Sequence, residues 1–307
     1  MELETEFRKG CSIIIPTWNC GCTMKMCLDS IRRAFPEDVP LEVRIIDKGS
    51  TDNTIKIVNE WARNNEAIPT WTTIETRPLG AARMTGIKGA KYSTIFWLDS
   101  DITLPENYIE NLFKMADKEY PKEFKPIGQI QGTMTDTVPL IAKWWAGYDV
   151  YQRRKSGHSY ILAKSNAPTA CSLLLKSATA MPASRERYMN TLHSTEDSLL
   201  AKTIQEKGYI QLMFPIKVDH NIKEVDLAEG SHKMVWSLVG LKNRGDNKIQ
   251  ALWHMKWIWR NGFFAFIEYK TLDLIAYTVF TQLNLLRACI KDKQIIKQRR
   301  LTTLKDW

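Results

Sequence analysis

The chain has 307 residues, 44% of them apolar and 25% charged, with a net charge of +9. That length and apolar share fit one large domain or a domain with an appendage, and they exclude wholesale disorder. The charge is uneven: residues 287–307 hold seven Lys or Arg against Asp292 and Asp306, a net +5 that suits anionic headgroups, nucleic acid or simply a solvated end.

The N-terminal MELETEFRKG is polar and acidic, and no apolar stretch of a secretory signal follows it. The six cysteines are therefore expected as reduced thiols in a cytoplasmic setting. Cys11, Cys20, Cys22 and Cys27 crowd the first strand and helix at spacings that match no zinc pattern, and they read as small buried hydrophobes.

SIIIP (12–16) is a short β-branched strand, and residues 22–35 carry Met24, Cys27, Leu28, Ile31 and Phe35 at helical spacing. LEVRIID (41–47) alternates as a second strand. Ser50 or Thr51 is the expected cap of a helix reaching about Arg63, with Ile55, Val58, Trp61 and Ala62 on one face. TWTTIE (70–75) is a third strand, GAARMTGIKGA (80–90) a small-residue helix, and TIFWLD (94–99) a fourth strand apolar enough to be buried on both faces. A helix is expected from Pro105 to about Lys118, then mixed strands and loops over 126–190 with a strand near 168–175. STEDSLLAKTIQEKGY (194–209) is a helix capped by Ser194 or Thr195 and stopped by Gly208, and YIQLMFPIKV leads to Asp219-His220 as a last strand.

From about residue 226 the character changes. Residues 249–269 interleave Trp253, Trp257, Trp259, Phe263, Phe264, Phe266 and Tyr269 with Lys256, Arg260 and Glu268. The charge-free run between Asp273 and Arg287 falls short of the ~20 residues of a spanning helix. An amphipathic tail lying on a membrane, an ordinary helical subdomain and a dimer surface all fit.

Strand–helix alternation with short links implies an α/β fold, a parallel sheet covered by helices on both sides, in which ligands bind at the carboxyl ends of the strands. Pro16-Thr17, Asp47, and Asp99 with Asp101 sit at three such ends, so their polar groups converge on one edge. Two acids closing an apolar strand offer oxygen to a divalent cation, although two solvated turn residues would look the same.

Taken in order, IIIPTWN, DKGSTDNT (47–54), LGAARMTG (79–86), FWLDSD and STED (194–197) resemble the family 2 glycosyltransferases over roughly residues 11–220. Lys48 stands where a second Asp is usual, Met84 where Asn is usual, and Ile102 where a third acid often follows. The resemblance implies a GT-A fold, a Rossmann-like mostly parallel sheet flanked by helices, at 1–225, followed by a helical, aromatic and basic region at 226–307. It implies an inverting transfer from a nucleoside-diphosphate sugar to a glycan or lipid-linked acceptor, with Mn2+ or Mg2+ on the diphosphate. Nucleic acid is not an expected partner, and the expected location is cytoplasmic, peripheral on the cytoplasmic membrane face.

The roles implied are these. Asp101 coordinates the metal, and Asp99 faces the ribose or a metal-bound water, the two pointing to opposite sides of an extended strand. Asp47 contacts the nucleobase, where a turn cap before Gly49 would use the same carboxylate. Pro16 and Thr17 bring backbone against the nucleotide, and Arg83 and Arg77 reach the diphosphate, stabilise the acidic edge or form salt bridges. Asp197, beside Glu196, is the general base, and acids at a helix start are also expected for dipole reasons. His220 is a metal ligand or a hydrogen-bonded structural His. A polyprenyl phosphate needs no base, so the intact T-E-D favours a hydroxyl acceptor over the alternative of a polyprenyl-phosphate sugar synthase. A sugar nucleotidyltransferase is the other alternative, but PTWNCGCTMK does not look like its Gly-rich loop.

Overall fold

The computed structural model describes residues 2–120, 126–136, 139–156, 160–162, 170–192, 196–221 and 248–283. Ser194, Thr195 and the basic stretch at 287–307 lie outside the described residues. The chain divides into two units, residues 1–135 with 157–221, and residues 136–156 with 222–307.

The first unit opens with a helix that the acidic N-terminus did not suggest, Glu2–Arg8 (α1), which buries Leu3 and Phe7, one turn apart. Then come Cys11–Thr17 (β1), Met24–Ala34 (α2), Leu41–Asp47 (β2), Thr54–Asn64 (α3), Thr70–Ile74 (β3), Leu79–Gly89 (α4) and Thr94–Leu98 (β4). The strands pair in parallel in the order β3-β2-β1-β4. All of β4 and all of β1 except Pro16 is buried, whereas β3 is an edge strand with Trp71 and Ile74 exposed. The start of α3 differs from expectation. Thr54 N and Oγ1 both donate to Asp52 Oδ1, at 3.0 and 2.5 Å, so Asp52 rather than Ser50 or Thr51 satisfies the first turn.

Ile102–Thr103 (β5) and Tyr108–Glu119 (α5) follow, then Ile127–Asp136 (β6), with Pro139–Ser156 (α6) leaving for the second unit. Ile161–Leu162 (β7), Cys171–Leu175 (β8), the short helices Lys176–Thr179 (α7) and Ala183–Met189 (α8), Glu196–Glu206 (α9) and Ile210–His220 (β9) complete the first unit. These strands extend the sheet through β8, β6, β9 and β5; β8 runs antiparallel to β4, β6 to β8, and β5 and β7 to β9. The parallel half is thus followed by an antiparallel one, and the switch falls beside the acidic end of β4.

The second unit contains α6, Lys248–Tyr269 (α10) and a helix over 273–283 (α11). Strands and loops were expected over 126–190, but α6 is an 18-residue helix. PLIAKWWAGYDVYQRRKS starts with Pro at the first helical position, where its missing N–H costs nothing, and its apolar residues form no single stripe that would mark it as helical.

Phe7, Phe35, Phe96, Tyr108 and Phe113 form a chain of ring contacts 5.1–6.2 Å apart that ties α1, α5 and the loop after α2 to β4. Each buried ring contributes roughly 1.5–3 kcal/mol by removal from water. Tyr108 Oη also donates to the Cys171 carbonyl (2.9 Å) and accepts from Gly132 N (2.6 Å), bridging β8 and β6.

One glycine sets the seat of α4. A Cβ at Gly80 would lie 2.0 Å from the Met189 carbonyl oxygen, and Gly80 N donates to Leu192 O at 2.9 Å. Gly80→Ala is expected to cost ~1–3 kcal/mol, because backbone must move to admit the methyl. Urea unfolding will show a lower midpoint with an unchanged slope.

Candidate active site

The carboxyl ends of β1 and β2 lie side by side, with Thr17 in register with Asp47. Thr17 Oγ1 donates back to Ile15 O (3.0 Å), so this side chain serves its own strand, and Thr17 O accepts from Lys48 N (2.9 Å). Asp47 is buried and closes a turn: Oδ2 accepts from Gly49 N and Ser50 N at 2.9 and 2.8 Å, and Oδ1 from Ser50 Oγ at 2.5 Å. Gly49 has φ +90°, a conformation that favours glycine. Of the two uses open to Asp47, the described contacts are those of the turn. The PTWN loop is locked to this turn, since Asn19 Oδ1 accepts from Thr51 N (2.8 Å) and Asn19 N donates to Ser50 Oγ (2.9 Å).

A cleft of about 230 Å³ opens at this edge, lined by Pro16, Thr17, Trp18, Ile46, Lys48, Glu75, Arg77, Leu79 and Ala82. Trp18 is 60% exposed and Lys48 Nζ lies 5.0 Å from its ring centroid. Glu75 was not among the expected site residues, although it ends the third strand and the strand-end argument applies to it equally. It holds Arg77 in a fork, accepting Nε at 2.9 Å and Nη2 at 2.6 Å, and takes the Thr85 hydroxyl at 2.8 Å. Arg77 beside it pulls the Glu75 carboxyl down to about 2.

The two acids after β4 do not lie on an extended strand as expected. Strand β4 stops at Leu98, and Asp99-Ser100-Asp101-Ile102 is a tight turn in which Ile102 N donates to Asp99 O (3.0 Å). The two carboxylates still take different partners. Asp101 Oδ2 lies 3.2 Å from His220 Nε2, brought there by the antiparallel pairing of Ile102 with His220. Asp99 Oδ1 accepts from Arg83 Nη2 at 3.1 Å.

Arg83 joins the second acidic pair to the first. Its Nε donates to Glu196 Oε1 at 3.1 Å, and its guanidinium lies 4.8 Å from the centroid of Trp97. Only 2% of Arg83 is exposed, and Nη1 has no hydrogen-bond partner among the described residues. Burial opposes the charged form, but Asp99 and Glu196 outweigh it and hold Arg83 charged. Glu196 is itself buried, and that burial raises its carboxyl above the ordinary range despite Arg83. Glu196 therefore turns inward, while Asp197 is half-buried at the start of α9 with Oδ1 accepting from Ser198 N (2.6 Å). Among the described residues no three His, Cys, Asp or Glu side chains form a metal cluster. The cysteine reading is split: Cys11 and Cys27 are buried, Cys20 is half-buried and Cys22 exposed, all free thiols.

The sequence model of glycosyl transferase family 2 matches residues 12–159. This stretch is a family 2 glycosyltransferase domain. Glycosyltransferase GlyA of Streptococcus pneumoniae is 29% identical over 103 residues, 34% of this chain and 14% of the relative. Matches to the curated relatives GlyA and MG060 of Mycoplasma genitalium span only 14% and 16% of those proteins. Among solved structures, the mannosyltransferase PcManGT from Pyrobaculum calidifontis in complex with GDP-Man and Mn2+ has TM-score 0.62 at 18% identity, covering 92% of this chain and 87% of that one. TarS residues 1–349 of S. aureus in complex with UDP-GlcNAc has TM-score 0.51 at 16% identity, covering 93% and 92%. The glycosyltransferase domain thus sits in a GT-A fold, and Asp47, Arg83, Asp99 and Asp101 all fall within the matched residues.

Two outcomes follow for this domain. Arg83→Gln leaves Glu196 buried without its cation, and loss of one partner from a buried ion pair costs about 3–5 kcal/mol, readable by denaturant unfolding. The second concerns acid. Glu75 has a folded value of about 2 against an ordinary 4.5, so its contribution is complete above 4.5 and disappears as pH falls towards 2. With half of Arg77 in solvent the effect is discounted to ~1–2 kcal/mol. In a pH series of thermal melts, Glu75→Gln will flatten that acid limb.

Proposed function

We propose that the chain is an inverting glycosyltransferase that moves a sugar from a nucleoside-diphosphate donor to a hydroxyl of a glycan or lipid-linked glycan. The observation that carries this reading is Arg83, which hydrogen-bonds both Asp99 and Glu196 and so joins the DSD turn to the Glu196-Asp197 pair. A catalyst for this reaction needs two things near one another, a place to neutralise a leaving diphosphate and a base for the acceptor. The GT-A fold of structures that hold GDP-Man with Mn2+, or UDP-GlcNAc, supports a nucleotide-sugar donor and leaves its base open.

The donor nucleotide lies in the cleft at Pro16, Thr17, Trp18 and Lys48, with Trp18 as a stacking surface and Arg77 at its wall. Asp101 and His220 would hold Mn2+ or Mg2+; their Oδ2 and Nε2, 3.2 Å apart, are an oxygen–nitrogen pair of suitable chemistry. When bound, such an ion neutralises negative charge developing on the leaving diphosphate. Asp99 gives one oxygen to Arg83 and offers the other to the ribose or a metal-bound water. Asp197 removes the acceptor proton as the hydroxyl oxygen bonds to the anomeric carbon, on the face opposite the breaking bond to phosphate. Configuration at that carbon inverts, and the nucleoside diphosphate departs. Glu196, expected with Asp197 as the catalytic pair, acts as a positioning residue, anchored to Arg83 so that α9 presents Asp197. An acceptor that needs this base is a neutral hydroxyl rather than a phosphate.

Turnover of candidate nucleotide-sugars with Mn2+ or Mg2+ tests the scheme, with the product's anomeric configuration read by NMR. Asp101→Ala and Asp197→Asn should each lose at least ~100-fold in kcat while remaining folded. Full activity in both variants, or retained configuration, would overturn the assignment.

A further inference from the structure

The second unit buries polar side chains among apolar ones and leaves a stripe of apolar side chains in solvent. On α11 the inward positions are Leu274, Thr278, Thr281 and Gln282, while Leu272 just before it, Ile275, Val279 and Leu283 form an exposed apolar stripe. On α10 the inward positions are Ile258, Asn261, Gly262 and Ala265, while Trp259 and Phe263 are 49% and 58% exposed on the side of Lys256. A helical unit surrounded by water keeps such an apolar stripe inside and gives its polar residues to solvent.

Several contacts inside the unit are polar. Trp144 Nε1 donates to Thr278 Oγ1 (3.1 Å), which in turn donates to Leu274 O (2.6 Å). The side-chain amides of Asn261 and Gln282 are buried without a partner among the described residues. Helix crossings are made at glycines: a Cβ at Gly262 would meet Thr278 Oγ1 at 1.9 Å, and one at Gly147 would meet the Asn261 carbonyl oxygen at 2.1 Å. Small residues at crossings and hydroxyl hydrogen bonds between helices are what holds helices together when hydrocarbon, not water, wets their outer faces. No helix among the described residues is long and apolar enough to cross a membrane.

We infer that this exposed face, carried by Trp259, Phe263, Leu272, Ile275, Val279 and Leu283, docks on a bilayer that bears anionic phospholipids. Its side chains enter the boundary between headgroups and acyl chains, with the helices lying in that plane. The charges select this occupant over a second copy of the chain. Exposed Lys256 and Lys270 are balanced by exposed Glu268 and Asp273, and the net charge comes from the sequence at 287–307, +5 starting four residues after Leu283. A self-complementary interface would bring two such positive blocks together, whereas anionic headgroups neutralise them.

The full chain is floated with phosphatidylcholine vesicles, with and without about one-third phosphatidylglycerol, at low and high salt, while its mass in lipid-free solution is measured by light scattering. Wild type should float with the anionic vesicles and at least about tenfold less with the neutral ones, with binding weakened by salt. The double variant Phe263→Asp, Val279→Asp should lose about tenfold or more while keeping its circular dichroism, and Ile74→Asp, an exposed apolar position on β3 of the other unit, should bind as wild type. The inference is overturned if wild type does not float, or if the double variant floats equally well. A lipid-free dimer that the double variant converts to monomer, with vesicle binding unchanged, would assign the face to a second copy instead.

Discussion

A guanidinium with 2% of its surface in water stays charged only if carboxylates reach it, and Arg83 is such a group. Helix α4 can carry it that deep because the positions around it are Gly80, Ala81, Ala82 and Gly86, which let the helix lie close to β1 and to the chain at 189–192. The two acids that answer it come from different parts of the fold, Asp99 from the turn after β4 and Glu196 from the start of α9. Once that requirement is met, the end of β4 and the start of α9 have little freedom relative to each other. Such a triad adds little net stability over an apolar filling, since desolvation offsets most of the attraction. Its use is geometric, because it holds two carboxylate sites at one edge of the sheet.

Much of this edge is legible in the sequence. Short apolar runs alternating with helical spacings identify β1 to β4 and α2 to α5, and the parallel-sheet rule then places Thr17, Asp47, Asp99 and Asp101 together. What escapes are choices settled by contacts between distant residues. Nothing in DKGS tells whether Asp47 turns to its own loop or to a ligand, and nothing local links Arg83 to Glu196, 113 residues away. Asp99 and Asp101 do diverge, but because a turn separates them and because β9 arrives to pair with β5, not because of strand alternation. Glu75 closes the expected third strand, TWTTIE, and was within reach of the same rule.

The two units differ in how cleanly burial follows polarity, which explains why the first was readable and the second ambiguous. In the first, strands such as β4 are apolar throughout and their burial follows directly. In the second, apolar and polar residues alternate at helical spacing in the ordinary way, but composition along the chain does not say which stripe faces in. Only the burial of Thr278, Asn261 and Gln282 beside Ile258 and Leu274 reveals that polar side chains share the interior.

The order of pairing also bears on how the first unit assembles. Strand β1 meets β2, and β2 meets β3, through short crossovers, with paired residues 30 (Cys11 to Leu41) and 27 (Val43 to Thr70) apart. Strand β4, by contrast, returns to β1 across 83 (Cys11 to Thr94). The ion triad needs a loop of 113 residues to close before its last carboxylate arrives. Until then Arg83 has only Asp99, 16 residues away, and enclosing it would leave much of its charge uncompensated. The seating of α4 against the sheet is thereby tied to the docking of α9, and a half-built sheet has reason to keep its guanidinium in water. The same charge that aligns the finished site makes premature closure of the partial one costly.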